Sequence, residues 1–409
     1  MPNAGELNLA VALPQPTAKR RKNMERVTNK LINWASIVEE GALEQARITS
    51  EMPFVRPHIA LMPDAHFGKG STVGSVVPTV GAIMPACVGV DIGCGMMAVK
   101  TSLKADHVFD RKIVRESIAS QIPLSAGQQN QIIEKDAGES VALLEDMARN
   151  LNIQPDGRQG NWRLQLGTLG SGNHFIEISV DEEDFIWLFL HSGSRGVGNK
   201  IATHYIKLAQ EFCKRNFIEL PDPDLAYLVE GDWQFSEYIH EMTWAQAYAY
   251  QNRVVMMHRV KVSLMNAAGA FESIEEINCH HNFTQQENHM NKNFWITRKG
   301  AISARLGEMG LIPGSMGAAS YVVEGLGHPL SFNSAPHGAG RQYGRNVARK
   351  IFTMESLVSS MNGIEWNHSE AFLDEHPSAY KDIDVVMADA SGLVKIRHTL
   401  RQIINVKGD

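Results

Sequence analysis

The sequence has few of the features of a secreted or membrane-bound protein. Its 409 residues include only four cysteines, Cys87, Cys94, Cys213 and Cys279. So few cysteines in a chain of this length do not predict a disulfide framework. No apolar run approaches the roughly 18 residues of a membrane helix. The N-terminus also lacks the apolar core of a signal peptide. We therefore expect a cytoplasmic protein that does not bind membranes.

An excess of positive charge is absent as well. The formal net charge is −6, from 39 Lys and Arg against 45 Asp and Glu. The surface as a whole should not attract a polyanion, so a nucleic acid would need a local basic groove. With 44% hydrophobic and 21% charged residues, the composition is that of a globular protein. A chain of this size can enclose a site shielded from water.

Two common nucleotide-binding motifs are missing. The segment Gly68–Ser71 resembles part of a P-loop but lacks the Gly-Lys-Ser/Thr order. No Lys-x-Asp-Gly occurs, which removes the usual lysine nucleophile of nucleotidyl-transferring ligases. A covalently attached nucleotide would therefore need a different nucleophile.

Hydrophobic periodicity predicts an α+β protein, with mixed or antiparallel sheets at the core of one compact catalytic domain and helices around them. Strands and helices alternate too irregularly for a doubly wound sheet. Residues 1–23 have no periodicity and predict a flexible N-terminal lead before a domain over residues 24–409. The predicted strands are His58–Met62, Val76–Val80, Met96–Thr101, His174–Val180, Phe185–Leu190, Phe294–Arg298 and Tyr321–Glu324. The predicted helices are Glu39–Ser50, Ile132–Leu151, Ala202–Arg215 and Ser236–Asn266.

Glycine is concentrated where histidine, cysteine and aspartate occur. Several of these segments lie where a predicted strand ends, a common location for sites held by a rigid scaffold. Their imidazoles, thiolate and carboxylate are the main protein ligands of transition metals. For one isolated histidine a buried hydrogen bond explains the residue better, but for this set we favour function. The segments are Asp91–Gly95, Gly172–His174, His191–Gly196, Cys279–Asn282 and His337–Arg341.

The spacing of these residues does not identify the ion. Cys94 beside Asp91 lacks the paired Cys-x₂-Cys of a structural zinc site and suits mixed ligation with imidazoles. Zinc, manganese, iron and cobalt are all compatible with such ligands. A single thiolate can also bridge two ions, as in two-metal phosphoryl chemistry.

Three glycine-rich segments also suit phosphate. Gly193–Gly196, Pro313–Gly317 and Gly338–Arg341 combine glycine with serine or arginine. Backbone N–H groups in such loops bind phosphate oxygens. Each segment alone is a weak signal.

Taken together, the motifs resemble those of the RtcB family of RNA-splicing and RNA-repair ligases, from about Trp34 to the C-terminus. So many long motifs in the same order make a chance match untenable, and the resemblance implies an RtcB-like fold. The matching segments are Met62–Gly70, Gly89–Gly95, Leu169–Glu177, His191–Gly196, His280–Asn282, Pro313–Gly317, His337–Arg341, Ala379–Asp382 and Val406–Gly408.

The resemblance implies a GTP- and Mn²⁺-dependent ligase that joins RNA 3′-phosphate or 2′,3′-cyclic phosphate ends to 5′-hydroxyl ends, in RNA repair or tRNA splicing. His281 is preferred to His280 as a ligand because the family's ligand directly precedes the asparagine matched by Asn282. The implied ligands of two Mn²⁺ ions are Asp91, Cys94 (bridging), His174, His191 and His281.

The resemblance also decides the role of His337, which the residues alone left open as a further metal ligand. It implies that His337 is guanylated by GTP, that GMP passes to the RNA 3′-phosphate, and that the 5′-hydroxyl then displaces GMP. Arg195 is interpreted as a further phosphate binder. Implied nucleotide contacts are Asn173, Glu177, Asn282, Ser315, Ala339, Gly340, Arg341, Tyr380 and Lys407.

The implied partners are GTP, RNA carrying these ends and an activating protein of the archease type; we expect a monomer. One alternative is a metal-dependent phosphoesterase acting on RNA ends without ligation, which would need the metal ligands but not His337. Another is a metal-stabilised RNA-binding scaffold without activity. The family pattern is altered on both sides of His337, at Ala335–Pro336 and Gln342–Arg345. These departures favour a divergent repair branch.

Overall fold

The computed structural model describes residues 24–158 and 160–408. The predicted N-terminal lead, residues 1–23, lies outside this range. The described residues form an α+β fold, as predicted. Its strands are β1 Glu25–Thr28, β2 Leu31–Asn33, β3 Ile59–His66, β4 Val73–Thr79, β5 Ala82–Ile83, β6 Gly95–Lys104, β7 Phe175–Val180, β8 Phe185–Ser192, β9 Leu228–Val229, β10 Ser273–His280, β11 Asn282–His289, β12 Lys292–Lys299, β13 Ala301–Ser303, β14 Met309–Ile312, β15 Ser320–Gly325, β16 Ser334–Pro336 and β17 Val394–Val406.

Helices lie around the sheets. Within the described chain, no helix combines the length and the apolar character needed to cross a bilayer. The α-helices are α1 Glu40–Ser50, α2 Pro85–Val88, α3 Arg111–Gln121, α4 Gly138–Asn150, α5 Pro155–Arg158, α6 Trp162–Gln165, α7 Arg195–Arg215, α8 Trp233–Ala268, α9 Arg345–Ile351, α10 Met354–Ser360 and α11 Ile383–Asp389. Short 3₁₀ helices are Lys135–Ala137, Pro223–Leu225, Pro329–Ser331, Glu370–Glu375, Pro377–Ala379 and Ala390–Gly392.

Two large sheets form the centre of the molecule. The seven-stranded sheet has the order β10-β6-β8-β7-β17-β15-β14 and is antiparallel throughout. The six-stranded sheet has the order β1-β2-β3-β4-β12-β11 and contains one parallel pair, β2 with β3. One sheet is therefore antiparallel and the other is mixed, in agreement with the prediction.

The central strands of the seven-stranded sheet are buried on both faces. On one face Leu188 packs in a core with Val260 of α8. On the other face Phe189 packs in a core with Ala98 and with Ile296 of the six-stranded sheet. Because both faces are covered, these strands are continuous apolar runs, and that made them easy to predict from sequence.

Two predicted helices have different starts in the structure. Residues 132–134 are not helical, and α4 begins at Gly138 after a 3₁₀ turn. Conversely, α7 begins at Arg195, seven residues before the predicted Ala202. Glycine disfavours helix, which concealed this first turn. The structure shows what the glycine allows: a Cβ at Gly198 would lie 2.0 Å from Ser194 Oγ and 3.0 Å from the Ile92 backbone nitrogen.

Three long strands were absent from the predictions. β10, β11 and β17 carry many charged and amide side chains, so they lack the apolar runs used to identify the others. β17 nevertheless lies inside the seven-stranded sheet, between β7 and β15. Their position matters for function, because β10 and β11 flank His281 and β17 ends directly before Lys407.

Candidate active site

The predicted metal ligands come together because neighbouring strands end at the same edge. Cys94 immediately precedes β6, His191 is the next-to-last residue of β8, and His174 immediately precedes β7. These strands are adjacent, with His191 opposite both Met96 and Phe175. β10 pairs with the other side of β6, where His280 is opposite Gly95. The next residue, His281, therefore lies beside Cys94, and its backbone N–H donates to the Cys94 carbonyl at 2.7 Å.

The ligand atoms of these side chains converge in a buried cluster. Cys94 Sγ lies 3.4 Å from His174 Nε2 and 3.3 Å from His191 Nε2. His191 Nε2 is 2.9 Å from His281 Nε2. Asp91 Oδ2 is 3.0 Å from His174 Nε2. We call Asp91, Cys94, His174, His191 and His281 the cysteine–histidine cluster.

Surrounding groups fix the direction of these ligands. His174 Nδ1 donates to the Leu169 carbonyl at 2.9 Å, which turns its Nε2 toward the cluster. The Ser194 backbone N–H donates to Asp91 Oδ1 at 3.0 Å. A Cβ at Gly193 would lie 2.3 Å from both Asp91 carboxylate oxygens, so only glycine permits this close approach.

Without a cation, this arrangement is electrostatically awkward. Burial raises the pKa of the Cys94 thiol and lowers the pKa of His191 and His281 well below its usual value. Burial also opposes ionisation of Asp91, yet the hydrogen bond and charge of His174 hold its pKa at about 2. The neutral imidazoles of His191 and His281 therefore lie against each other, and the His191 ring lies against the Cys94 sulfur. A divalent cation satisfies all of them and favours the thiolate. Cys94, His174 and His191 have ligand atoms within 4.8 Å of one another and could hold a metal ion.

The neighbouring His280 has a different environment. Its Nδ1 lies 2.8 Å from the Gly93 carbonyl and 3.1 Å from Arg253 Nη2. Burial, followed by the Arg253 charge, lowers its pKa to about 3. Gly93 and Arg253 therefore hold the His280 ring, whereas His281 faces the cluster.

His337 lies next to this cluster. Its ring centroid is 4.6 Å from that of His281. Its Nδ1 is 2.6 Å from Asp64 Oδ2, and its backbone N–H donates to the same oxygen at 3.1 Å. The Asp64 side chain has no solvent exposure. Because a carboxylate can only accept, Nδ1 is the donor in this hydrogen bond, which fixes the orientation of the ring.

Sequence reasoning did not single out Asp64. It lies within the matched segment Met62–Gly70, and a carboxylate inside an apolar strand was the available signal. The close fit around it also needs glycine, since a Cβ at Gly340 would lie 2.3 Å from the Asp64 carbonyl oxygen.

A cavity of about 560 Å³ opens in front of His337. Asp91, His191 and His281 form part of its wall. Arg195 is not among the lining residues; its Nε donates to Thr168 Oγ1 at 3.0 Å. All the residues expected to contact nucleotide line this cavity, namely Asn173, Glu177, Asn282, Ser315, Ala339, Gly340, Arg341, Tyr380 and Lys407.

Several of these residues converge on Glu375, which sequence reasoning missed. Glu375 accepts hydrogen bonds from Tyr380 Oη at 2.6 Å, Lys407 Nζ at 3.0 Å, Arg345 Nη1 at 2.6 Å and Arg341 Nη1 at 3.3 Å. Burial opposes its charge, but Lys407 and Arg345 hold its pKa below the usual value. Glu375 ends a 3₁₀ helix in a segment without glycine or strand pattern, so no sequence signal pointed to it. We call these five residues the Glu375 cluster.

A second carboxylate near Lys407 has the opposite character. Glu177 is buried on β7, and burial raises its pKa to about 8, although Ser320 and Lys407 act against this. Its Oε2 accepts a hydrogen bond from Ser320 Oγ at 3.2 Å. Burial therefore favours the protonated form of Glu177, whereas the neighbouring cations favour the ionised form of Glu375.

The fold and the site define a class: an enzyme in which a cluster able to hold a metal ion and an oriented histidine face a cavity lined by glycine-rich loops. Comparison with known proteins gives the family. The family described as tRNA-splicing ligase RtcB matches residues 45–408. The RNA-splicing ligase RtcB of Escherichia coli (strain K12) is 45% identical over 388 residues, 91% of this chain and 95% of the relative.

Archaeal relatives match over similar lengths. The tRNA-splicing ligase RtcB of Nanoarchaeum equitans is 29% identical over 490 residues, 100% of this chain and 97% of the relative. The tRNA-splicing ligase RtcB of Pyrobaculum aerophilum is 29% identical over 431 residues, which cover 88% of this chain and 89% of the relative. This chain belongs to the RtcB family of RNA ligases. The predicted resemblance and enzyme class are confirmed.

Proposed function

We propose that this protein is a GTP- and Mn²⁺-dependent ligase that joins RNA 3′-phosphate or 2′,3′-cyclic phosphate ends to 5′-hydroxyl ends. The observation that carries the proposal is the placement of His337. Its Nδ1 is held by buried Asp64 and its ring lies beside His281, at the wall of a cavity large enough for a nucleotide. One catalytic domain over residues 24–409 is part of the same proposal.

His337 acts as the nucleophile in the first step. Asp64 accepts a hydrogen bond from Nδ1, and Nε2 attacks the α-phosphorus of GTP. An N–P bond forms, the bond from the α-phosphorus to the bridging oxygen breaks, and pyrophosphate leaves. Asp64 also stabilises the positive charge that develops on the ring.

The next steps return His337 to its starting form. An oxygen of the RNA 3′-phosphate attacks the phosphorus on His337, the N–P bond breaks, and the RNA carries GMP on its 3′-end. The 5′-hydroxyl oxygen of the second RNA then attacks the RNA phosphorus, and GMP leaves. A 2′,3′-cyclic phosphate end is first opened by water to give the 3′-phosphate.

The cysteine–histidine cluster would hold the metal. Asp91, Cys94, His174, His191 and His281 would hold two Mn²⁺ ions. When bound, such ions neutralise charge on phosphate oxygens and activate water. This assignment is supported by the sulfur, nitrogen and oxygen ligand atoms of the cysteine–histidine cluster, which converge in a buried pocket.

The nucleotide is assigned to the remaining cavity wall. Backbone N–H groups of the loop 313–317 and of Ala339 and Gly340 are suited to the phosphates. Glu177, Tyr380 and Lys407 are suited to the base, because a carboxylate and an ammonium match the donors and acceptors of guanine. A monomeric, cytoplasmic enzyme that acts on broken RNA, with an activating partner of the archease type, completes the proposal.

The test is transfer of label from α-labelled GTP to the protein in the presence of Mn²⁺. The label should be lost in acid and stable in base, as expected of a phosphoramidate. His337→Ala should remove the label completely, while His368→Ala, a change at an exposed histidine, should keep it. Label that persists in His337→Ala contradicts the assignment of the nucleophile.

The same variant discriminates the phosphoesterase alternative. A phosphoesterase would need the cysteine–histidine cluster but not His337. Hydrolysis of cyclic phosphate ends without GTP dependence, with no joined product from wild type, would favour that function over ligation.

A further inference from the structure

The cavity continues past the residues assigned to GTP along one face of helix α7. Thr203, Ile206, Lys207 and Gln210 all line the cavity. Their spacing is i, i+3, i+4 and i+7, which places them on one side of a helix. This surface is not used by the metal, the nucleophile or the nucleotide in the proposed mechanism.

Other elements extend this face into a continuous wall. Lys299 Nζ donates to the Ala86 carbonyl at 3.1 Å and to the Lys69 carbonyl. Gln210 Nε2 lies 3.5 Å from Asp224 Oδ1. We call the cavity-lining residues Lys69, Thr203, Ile206, Lys207, Gln210 and Lys299 the lysine wall.

The lysine wall is basic in a chain that is acidic overall. It carries three lysines against one neighbouring carboxylate, Asp224, which also lines the cavity and lies beside Gln210. Lys69 and Lys207 are exposed at the cavity. Among the described residues, neither has an ion pair with a carboxylate, so both ammonium groups are available to an anion. With a net charge of −6, this local excess is the kind of basic groove that a polyanion would require.

Apolar surface accompanies these lysines. Phe67 is 59% exposed, and its ring rests on Gly41, where an added Cβ would lie 3.7 Å from Phe67 Cδ2. It follows His66 and lies two residues before Lys69, and both of those residues line the cavity. Phe67 itself is outside the cavity lining, whereas Val90 lines the cavity and is 40% exposed. Free lysines next to an exposed aromatic ring are the usual combination for single-stranded nucleic acid.

We propose that the lysine wall binds the unpaired RNA strand leading to the end being joined. Lys69 and Lys207 contact its phosphates, and Phe67 stacks on one of its bases. This inference rests on the proposed function and specifies how the RNA is held. Stacking needs an unpaired base, so a single strand is favoured over a blunt duplex, whose base faces are covered.

The test compares two double variants that remove the same charge. Lys69→Ala with Lys207→Ala should weaken binding of a single-stranded RNA with a 3′-phosphate about tenfold at moderate salt. The slope of log affinity against log salt should fall by about 0.7 for each lysine removed. Lys350→Ala with Lys395→Ala, at exposed lysines outside the cavity lining, should change neither quantity. Equal affinities and slopes for the two double variants would overturn the proposal.

Phe67 gives a second, uncharged test. Phe67→Ala should weaken binding of the single strand about tenfold, with an unchanged salt slope, and leave binding of a blunt duplex as in wild type. Phe217→Ala, at a phenylalanine that is 94% exposed, is the matched control. A loss of duplex binding equal to the loss of single-strand binding would contradict stacking.

GMP labelling of the wild-type protein is measured in parallel. Absence of labelling would refute the proposed ligase mechanism, whereas the comparison of RNA affinities would still decide the role of the lysine wall. The two failures are therefore distinguishable.

Discussion

The cysteine–histidine cluster and the Glu375 cluster lie on the same cavity but are held together differently. In the first, a buried thiol and imidazoles lie at the ends of long paired strands, and their ligand atoms face one another. Burial favours the neutral forms of the thiol, His191 and His281. The second surrounds one buried carboxylate with three cations and a tyrosine hydroxyl, on 3₁₀ helices and chain segments near a strand end. The cysteine–histidine cluster presents its ligand atoms to a cation, whereas the Glu375 carboxylate is already surrounded by cations.

This difference predicts different dependence on ligands. The cysteine–histidine cluster should gain stability from a bound cation, because the cation supplies the missing charge. The Glu375 cluster should keep its shape without nucleotide, because its buried carboxylate is already paired with cations. Metal dependence and nucleotide affinity should therefore be separable by substitution.

The largest effect is expected for Cys94→Ala. Loss of the sulfur ligand should reduce GMP labelling and RNA joining below detection. It should also remove the stabilisation by Mn²⁺, which for wild type should reach about 2.7 kcal/mol at a concentration one hundred times the dissociation constant. Thermal unfolding with and without Mn²⁺ measures this. Cys87→Ala, a change at a buried cysteine outside the cluster, should retain the Mn²⁺ response. If Cys94→Ala also retained it, the metal assignment would be wrong.

Glu375→Gln should separate the two clusters. The substitution preserves shape but leaves Lys407, Arg341 and Arg345 without their shared anion. Breaking such a buried pair costs about 3 kcal/mol of unfolding free energy, and we expect about a tenfold higher KM for GTP through misplaced Tyr380 and Lys407. The stabilisation by Mn²⁺ should remain.

The control for Glu375 is an ion pair near the surface. Glu324 Oε2 lies 3.4 Å from Arg397 Nε, with both side chains partly exposed. Exposed pairs contribute only about 0–1 kcal/mol, so Glu324→Gln should leave both stability and KM nearly unchanged. A loss of the Mn²⁺ response in Glu375→Gln would show that the two clusters are coupled rather than separate.

The same contrast explains what could be predicted from sequence. Four of the five predicted metal ligands, all except His281, lie in glycine-flanked segments at strand ends, so composition and position indicated them before the structure. Asp64 and Glu375 act through partners far away in the chain: Asp64 contacts His337 across 273 residues. Such pairs become visible only when the chain is folded. His281 was preferred to His280 from the family pattern. It lies beside Cys94 because β10 pairs with β6, and sequence patterns did not reveal β10.

The polarity of the strands sets a similar limit on what the sequence could predict. Strands buried on both faces were recognisable as apolar runs, whereas β17 alternates buried and exposed positions and carries lysine and arginine. The structure shows that β17 delivers Lys407 to the cavity. Polar strands at the functional end of a sheet are therefore the part of this fold that hydrophobicity patterns conceal.

The smallest expected effect concerns Glu177, which provides a second contrast with Glu375. Burial raises the pKa of Glu177 from its ordinary 4.5 to about 8, so the folded protein holds a proton that the unfolded chain has released. The stability from this proton is complete below about pH 4.5 and is lost as pH rises through about 8. Between pH 6 and 7 the unfolding free energy of wild type should fall, relative to Glu177→Gln, by about 1 kcal/mol. Denaturant unfolding of both proteins without metal or nucleotide measures this difference. Parallel curves for the two proteins would mean that Glu177 is ionised like Glu375, and the electrostatic contrast between the two carboxylates would be lost.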